Sequence, residues 1–192
     1  MGLYWGNIAL CDVWNRDMAY SPECYVWCFK FRSIVWGGGG NIVYDPYFEE
    51  LKGKPIDLLE IGVLHGASLM AWKDYFPNGR IVGIDKEDNR TWKRPDVEFI
   101  ITDVKNYTPD RSFDIIIDDG SHKPEDIAYT FFKLYKYLKP NGLMIIEDVH
   151  ETFIPKAWEA LRELEGKFTI EILNFQRIMN DPYHNLIVIH KI

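Results

Sequence analysis

The sequence is poor in cysteine and has no long uncharged hydrophobic run. It contains 3 cysteines, Cys11, Cys24 and Cys28. An odd number does not make a closed disulfide framework, and no second pair completes four zinc ligands, so we interpret them as reduced thiols. No stretch approaches the roughly 18 apolar residues that cross a membrane, and the first residues lack the basic start of a signal peptide. These absences predict a cytoplasmic protein without a membrane partner.

The chain also has no excess of positive charge. Its net charge of −7 argues against nucleic acid as a partner, because nucleic-acid binding needs a basic face. At 47% hydrophobic residues, however, the chain has enough apolar material for a real core. Its length of 192 residues suits one domain, since domains typically have about 100–200 residues.

The composition changes near residue 41. The first 40 residues are rich in aromatic side chains and end in the run Gly37-Gly38-Gly39-Gly40. Glycines can cradle a phosphate, but no Lys-Ser or Lys-Thr follows, so a hinge is the better interpretation. We therefore predict an N-terminal cap or arm at 1–40 and a main domain at 41–192. The cap could pack on the main domain, cover its site or form a contact in a homo-oligomer.

The main domain alternates predicted strands with predicted helices. The predicted strands are 56–63, 80–85, 97–102, 113–117 and 143–146. The predicted helices are 67–76, 124–139 and 155–164, and residues 47–51 are predicted to form the end of a further helix. Two further strands, 168–175 and 185–191, have no helix between them and predict an antiparallel hairpin. The pattern predicts an α/β fold with a doubly wound, Rossmann-like, mostly parallel sheet.

A glycine-containing turn follows the first predicted strand and opens the next helix. Gly62 allows a tight turn, and Gly66 allows the backbone to approach a ligand closely. N–H groups at a helix start favour an anionic group there. Asp85, at the end of the second strand, is placed to hold the hydroxyls of a ribose, and Asp103, after the third strand, to accept from an adenine amino group.

The turn predicts a nucleoside site, although by itself it is a weak signal that also fits an ordinary turn. Only two glycines of the dinucleotide fingerprint are present, so dinucleotides and S-adenosylmethionine compete as ligands. The acidic Glu60 before the turn, the missing middle glycine and the terminal hairpin favour S-adenosylmethionine.

Two acidic clusters follow the fourth and fifth predicted strands. Asp118 and Asp119 are followed by His122, and Glu147 and Asp148 end the next apolar run. Because a helix-length segment separates the strands, they run parallel and bring both clusters to one edge of the sheet. Carboxylates gathered there repel each other unless a cation such as Mg²⁺ or Ca²⁺ neutralises them. Each cluster alone could be a solvated turn, but together they predict an enzyme with a metal.

These motifs resemble those of the class I S-adenosylmethionine-dependent methyltransferases. Within that class they are most similar to the Mg-dependent macrolide sugar O-methyltransferases of the mycinamicin type and to the cephalosporin-hydroxylase family. The resemblance covers residues 44–192 and rests on these segments: Leu59-Glu60-Ile61-Gly62, Gly66-Ala67-Ser68-Leu69, Ile84-Asp85, Ile117-Asp118-Asp119-Gly120-Ser121-His122, Leu138-Lys139-Pro140-Asn141-Gly142 and Ile146-Glu147-Asp148.

The resemblance implies roles for individual residues. It implies that Asp119, Glu147 and Asp148 bind Mg²⁺ and that His122 is the catalytic base. The expected cofactor-binding residues are Glu60, Gly62, Gly66, Ser68, Asp85, Asp103 and Asp118.

The expected activity is S-adenosylmethionine- and Mg-dependent O-methylation of a small-molecule or sugar hydroxyl. Two alternatives stay open: an NAD-dependent Rossmann oxidoreductase, and a non-catalytic binding or assembly protein that retains the fold. The resemblance does not cover the first 40 residues, so the identity of the acceptor molecule is not predicted.

Overall fold

The computed structural model describes residues 44–91, 93–155, 159, 166–174 and 185–192. The chain divides into two compact units, Met1–Phe48 and Glu49–Ile192. Helix α1, Asp45–Phe48, belongs to the first unit. The predicted cap at 1–40 and its glycine hinge lie outside the described residues and stay predictions.

The second unit contains a seven-stranded sheet. Its strands are β1 (Asp57–Ile61), β2 (Arg80–Asp85), β3 (Glu98–Ile101), β4 (Phe113–Asp118), β5 (Leu138–Ile146), β6 (Phe168–Asn174) and β7 (Asn185–Lys191). The helices are α2 (Ala67–Tyr75) and α3 (Pro124–Leu134), with 3₁₀ turns at Glu49–Leu51, Tyr135–Tyr137 and Glu151–Phe153.

The strands lie in the order β3-β2-β1-β4-β5-β7-β6. The pairs among β1 to β5 are parallel, whereas β7 runs antiparallel to both β5 and β6. The predicted α/β class, the mostly parallel sheet and the antiparallel C-terminal hairpin are therefore confirmed. The order reverses between β1 and β4, and ligands of such sheets bind beside the carboxyl ends of the strands at this point.

The central strands are buried on both faces, which explains their unbroken apolar runs. Ile115, Ile116 and Ile117 of β4 are fully buried, for example. Helix α3 begins with a proline, carries acidic residues in its first turn and a lysine in its last, and buries Phe131 and Leu134. No helix within the described ranges is long and apolar enough to cross a membrane.

Strand β5 differs most from its prediction. The sequence predicts a start at residue 143, but the strand begins at Leu138 and includes Pro140, Asn141 and Gly142. The pairing with β4 shifts register between Phe113 and Ile115, and Asn141 has a φ of 60°. A bulge therefore absorbs the proline, which has no N–H to donate to the neighbouring strand. The predicted helix at 155–164 lies mostly outside the described residues.

Candidate functional site

The glycine turn connects β1 to α2 at the carboxyl edge of the sheet. Gly62 and Gly66 have φ values of 82° and 84°, and Leu64 between them has 48°. The Oδ2 atom of Asp85 accepts hydrogen bonds from the N–H groups of Val63 at 2.8 Å and of Leu64 at 3.0 Å. Asp85 therefore braces the turn from the end of β2, a function that its predicted role toward a ribose did not include.

Helix α2 begins directly after the glycine turn. Gly66 occupies the N-cap position in the left-handed conformation, and no side chain from the described part of the chain caps this end. The first N–H groups of the helix are thus available to an anionic group.

Glu60 and Ser68, both predicted to contact a cofactor, are buried and contact each other. The hydroxyl of Ser68 donates to Oε2 of Glu60 at 2.9 Å. This bond joins the end of β1 to the first turn of α2 and so fixes the width of the glycine turn.

Asp103 follows β3 at the same edge. Its Oδ1 accepts from the N–H of Lys105 at 2.8 Å, and its Oδ2 lies 3.3 Å from Nζ of Lys86. The hydrogen bond from Lys105 and the ammonium of Lys86 hold the pKa of Asp103 below its usual value. Asp103 is therefore a charged acceptor, as its predicted contact with an amino group requires.

Asp118 ends β4 and is almost completely buried, with 4% of its surface exposed. Burial raises the pKa of its carboxyl group to about 7. The N–H of Gly120 donates to Oδ1 at 3.3 Å. Asp118 thus lies beneath the loop that carries Asp119, while its predicted contact with the cofactor stays a prediction.

Three of the predicted metal and base residues converge after β4 and β5. Asp119, His122 and Asp148 each offer a ligand atom, and these atoms all lie within 4.8 Å of one another. Glu147 is not in this group; its side chain is buried at 8% exposure, and its N–H donates to the carbonyl of Asp118 at 2.9 Å. Its role as a metal ligand stays a prediction.

The donors at this cluster fit a divalent cation. His122 and Asp148 are held at φ values of 56° and 51°, a strained conformation that often marks functional residues. The Nδ1 atom of His122 is buried without a hydrogen-bond partner among the described residues. The two carboxylates are oxygen donors of the kind that Mg²⁺ and Ca²⁺ accept, and the imidazole beside them is placed to take a proton from a group bound there.

The glycine turn and the cluster of Asp119, His122 and Asp148 are in direct backbone contact. A Cβ atom added to Gly62 would lie 2.2 Å from the carbonyl oxygen of Asp119 and 2.8 Å from Cα of Gly120. The N–H of Asp119 also donates to the carbonyl of Ile61 at 2.9 Å. Gly62 is therefore required both by its φ and by this approach, of which the sequence analysis predicted only the first.

Asn185 is a residue of this region that the sequence analysis did not predict. It begins β7, is fully buried and bonds to Val149, directly after Asp148. No sequence motif indicates its role, because Asn185 contacts Val149 only as a result of the pairing of β7 with β5.

Comparison with known proteins agrees with this geometry. Residues 59–149 match a protein family described as a methyltransferase domain. This part of the chain is similar to methyltransferase domains. The match begins in β1 and ends after Asp148, so it includes both the glycine turn and the acidic clusters.

Two O-methyltransferases are similar to this part of the chain. The mycinamicin VI 2''-O-methyltransferase of Micromonospora griseorubida is 35% identical over 129 residues, which are 58% of this chain and 32% of that protein. The demethylmacrocin O-methyltransferase of Streptomyces fradiae is 33% identical over 129 residues, with the same coverage of 58% and 32%. The chain spans about a third of the length of the curated relatives it matches.

Two solved structures show the same fold. The MycE methyltransferase, determined with Mg, SAH and mycinamycin VI, has a TM-score of 0.62 at 23% identity, over 90% of this chain and 55% of that one. The plantazolicin methyltransferase BpumL, determined with a substrate analogue and SAH, has a TM-score of 0.66 at 13% identity, over 91% and 87%. The predicted resemblance to class I methyltransferases, including the macrolide sugar O-methyltransferases, is confirmed.

Proposed function

We propose that this chain is an S-adenosylmethionine-dependent O-methyltransferase that also uses a divalent cation, with Mg²⁺ as the expected metal. The observation that carries the proposal is the convergence of Asp119, His122 and Asp148 within 4.8 Å, directly beside the glycine turn. A metal-type donor set next to a nucleoside-type turn suits the transfer of a group from a bound cofactor to a bound hydroxyl.

The residues of the glycine turn supply the cofactor site. The open start of α2 and its N–H groups face an anionic group such as a carboxylate. Asp85 and Asp103, at the ends of β2 and β3, supply acceptors for the hydroxyls of a ribose and for an adenine amino group. Asp118, Glu60 and Ser68 support this site from beneath.

The acidic clusters supply the metal and acceptor site. Asp119 and Asp148 would hold the cation, and Glu147 would join them as the resemblance to the macrolide methyltransferases implies. When bound, S-adenosylmethionine would supply a methyl group on a sulfonium, and the cation would supply positive charge that acidifies the acceptor hydroxyl. His122 would take the proton of that hydroxyl while its oxygen bonds to the methyl carbon and the carbon–sulfur bond breaks, which leaves a neutral thioether. The chain contributes mainly by holding the reactants close together.

The acceptor is proposed to be a hydroxyl of a small molecule or a sugar. The support is that the relatives in Micromonospora griseorubida and Streptomyces fradiae are named O-methyltransferases. No observation favours an NAD-dependent oxidoreductase or a non-catalytic protein, since the similar proteins named above are methyltransferases.

Titration calorimetry of the full chain with S-adenosylmethionine and with NADH tests the cofactor. We expect S-adenosylmethionine to bind and Asp85→Ala to weaken binding by about 1–3 kcal/mol, the scale of hydrogen bonds to a charged group. Asp110→Ala is a matched control, because Asp110 is an exposed aspartate paired with Arg111. Tight binding of NADH without binding of S-adenosylmethionine would contradict the proposal.

A further inference from the structure

The segment that carries Asp148 is fixed on both sides. On one side, the N–H of Glu147 donates to the carbonyl of Asp118 on β4 at 2.9 Å. On the other side, Val149 is fully buried and bonds to β7. Asp148 lies between these two fixed residues with a φ of 51°. The direction of its side chain is therefore set by the attached residues on either side.

Asn185 forms the attachment to β7. Its Nδ2 donates to the carbonyl of Val149 at 2.8 Å, and its backbone carbonyl accepts from the N–H of Val149 at 3.0 Å. Both polar groups of Val149 are thus bonded to one residue, whose own surface is 0% exposed. A buried carbonyl that loses such a donor is costly, so this pair of bonds holds the Val149 peptide in place.

The attachment matters because Asp148 is in a strained conformation. A non-glycine residue with positive φ is held there only when its surroundings over-determine the backbone. If the Val149 carbonyl lost its donor, Val149 would be attached to Asn185 by its N–H alone, and it could shift far enough for Asp148 to relax to negative φ. The carboxylate would then turn away from Asp119 and His122. Its ligand atom now lies within 4.8 Å of the ligand atoms of both residues.

We propose that Asn185 is a positioning residue of the metal site. Its paired bonds to Val149 hold Asp148 in the left-handed conformation and so place the Asp148 carboxylate beside Asp119 and His122. This inference rests on the proposed function, because it assumes that the cluster binds a divalent cation. It makes metal affinity depend on a residue that touches neither the cation nor the acceptor.

The test is a titration of the full chain with Mn²⁺ in the absence of acceptor. Electron paramagnetic resonance measures the concentration of free Mn²⁺ and so gives the affinity. Asn185→Asp is nearly isosteric but cannot donate to Val149. Asn185→Ala removes the side-chain bond and keeps the backbone bond, which provides a second, less disruptive variant. Ile189→Ala is the control, because Ile189 is equally buried on the same strand but pairs with Met144 in the interior of the sheet.

We expect both Asn185 variants to bind Mn²⁺ about 10–100-fold more weakly, the range found for residues that orient metal ligands. Their affinity for S-adenosylmethionine should stay unchanged. Ile189→Ala should lower the melting temperature and leave both affinities as in the unaltered chain. A rise in Mn²⁺ concentration should restore turnover in the Asn185 variants.

Equal Mn²⁺ affinity in the unaltered chain and both Asn185 variants would overturn the inference and leave the proposed function standing. Parallel losses of Mn²⁺ and S-adenosylmethionine binding in the Asn185 variants and in Ile189→Ala would also overturn it, since a general loss of structure would then explain the effect. If the unaltered chain binds S-adenosylmethionine but no Mn²⁺, the metal site of the proposed function fails, and the inference fails with it.

Discussion

The two edges of the parallel sheet both carry charged residues, but they neutralise them in different ways. At the amino edge, Nζ of Lys139 donates to Asp57 at 2.9 Å and to Asp114 at 2.7 Å, so the carboxylates are neutralised by the chain itself. At the carboxyl edge, Asp119 and Asp148 are gathered with an imidazole within 4.8 Å. A lysine completes the first cluster, whereas the second has the composition of a set of metal ligands.

The backbone shows the same contrast. Of the four non-glycine residues with positive φ in the described part of the chain, Leu64, His122 and Asp148 follow strands at the carboxyl edge. The fourth, Asn141, is a residue type that tolerates this conformation, and it lies in the bulged start of β5. Strain is thus concentrated at the edge where cofactor and metal are proposed to bind, and the amino edge serves stability.

The largest expected effect comes from removing a charge at the carboxyl edge. Asp119→Asn should abolish metal-dependent turnover while cofactor affinity stays the same, because too few anionic ligands remain to keep the cation. Asp114→Asn, at the amino edge, is the matched control and should retain turnover. Rates with and without EDTA, together with calorimetry, measure this. Full activity of the unaltered chain in excess EDTA would break the comparison.

The next effect concerns the imidazole. His122→Ala should lower the turnover rate by about 10²–10⁴-fold, the usual contribution of a general base, with metal and cofactor still bound. His150→Ala is the control, since Nδ1 of His150 lies 2.8 Å from the hydroxyl of Thr152 and accepts from its N–H, which caps a 3₁₀ turn. The turnover rates of the two variants are compared in stopped assays at saturating cofactor. A normal rate in His122→Ala would show that another group takes the proton.

A smaller effect separates backbone strain from close contact. Gly62→Ala places a methyl group against the Asp119 carbonyl and should destabilise the fold by about 1–3 kcal/mol through overpacking. That loss adds to the cost of positive φ, about 1–2 kcal/mol. Gly53→Ala shows the second cost alone, because Gly53 has a φ of 75° with nothing within 4 Å of the new Cβ. Urea unfolding measures the free energy of unfolding of both variants. Equal losses in Gly62→Ala and Gly53→Ala would mean that the loop moves to make room for the methyl group.

The smallest effect belongs to the amino edge. Lys139→Met should lower the free energy of unfolding by roughly 1 kcal/mol, because its partly exposed ammonium is screened by solvent. Mn²⁺ and S-adenosylmethionine affinities should not change. A loss of either affinity would show that the two edges are not independent, and the comparison between them would need revision.

Most of the fold was predictable because its signals are local. β2 and β7 begin and end where the sequence predicted, since each is a mostly apolar run that follows clear turn residues. The start of β5 was wrong because the bulge depends on how β5 pairs with β4. The meeting of Asp119 with Asp148 was predictable from the parallel course of their strands. The bonds of Asn185 were not, because the insertion of β7 between β5 and β6 is a property of the whole sheet.

The contact between Gly62 and Asp119 links the two halves of the proposed site thermodynamically. Since the backbone of the proposed cofactor turn rests on the peptide of Asp119, a proposed metal ligand, a shift in one displaces the other. Linkage is reciprocal, so the factor by which cofactor changes metal affinity equals the factor by which metal changes cofactor affinity. The order in which the two ligands bind therefore does not alter the energy of the filled site, and a substitution at either motif is felt as a change in cooperativity.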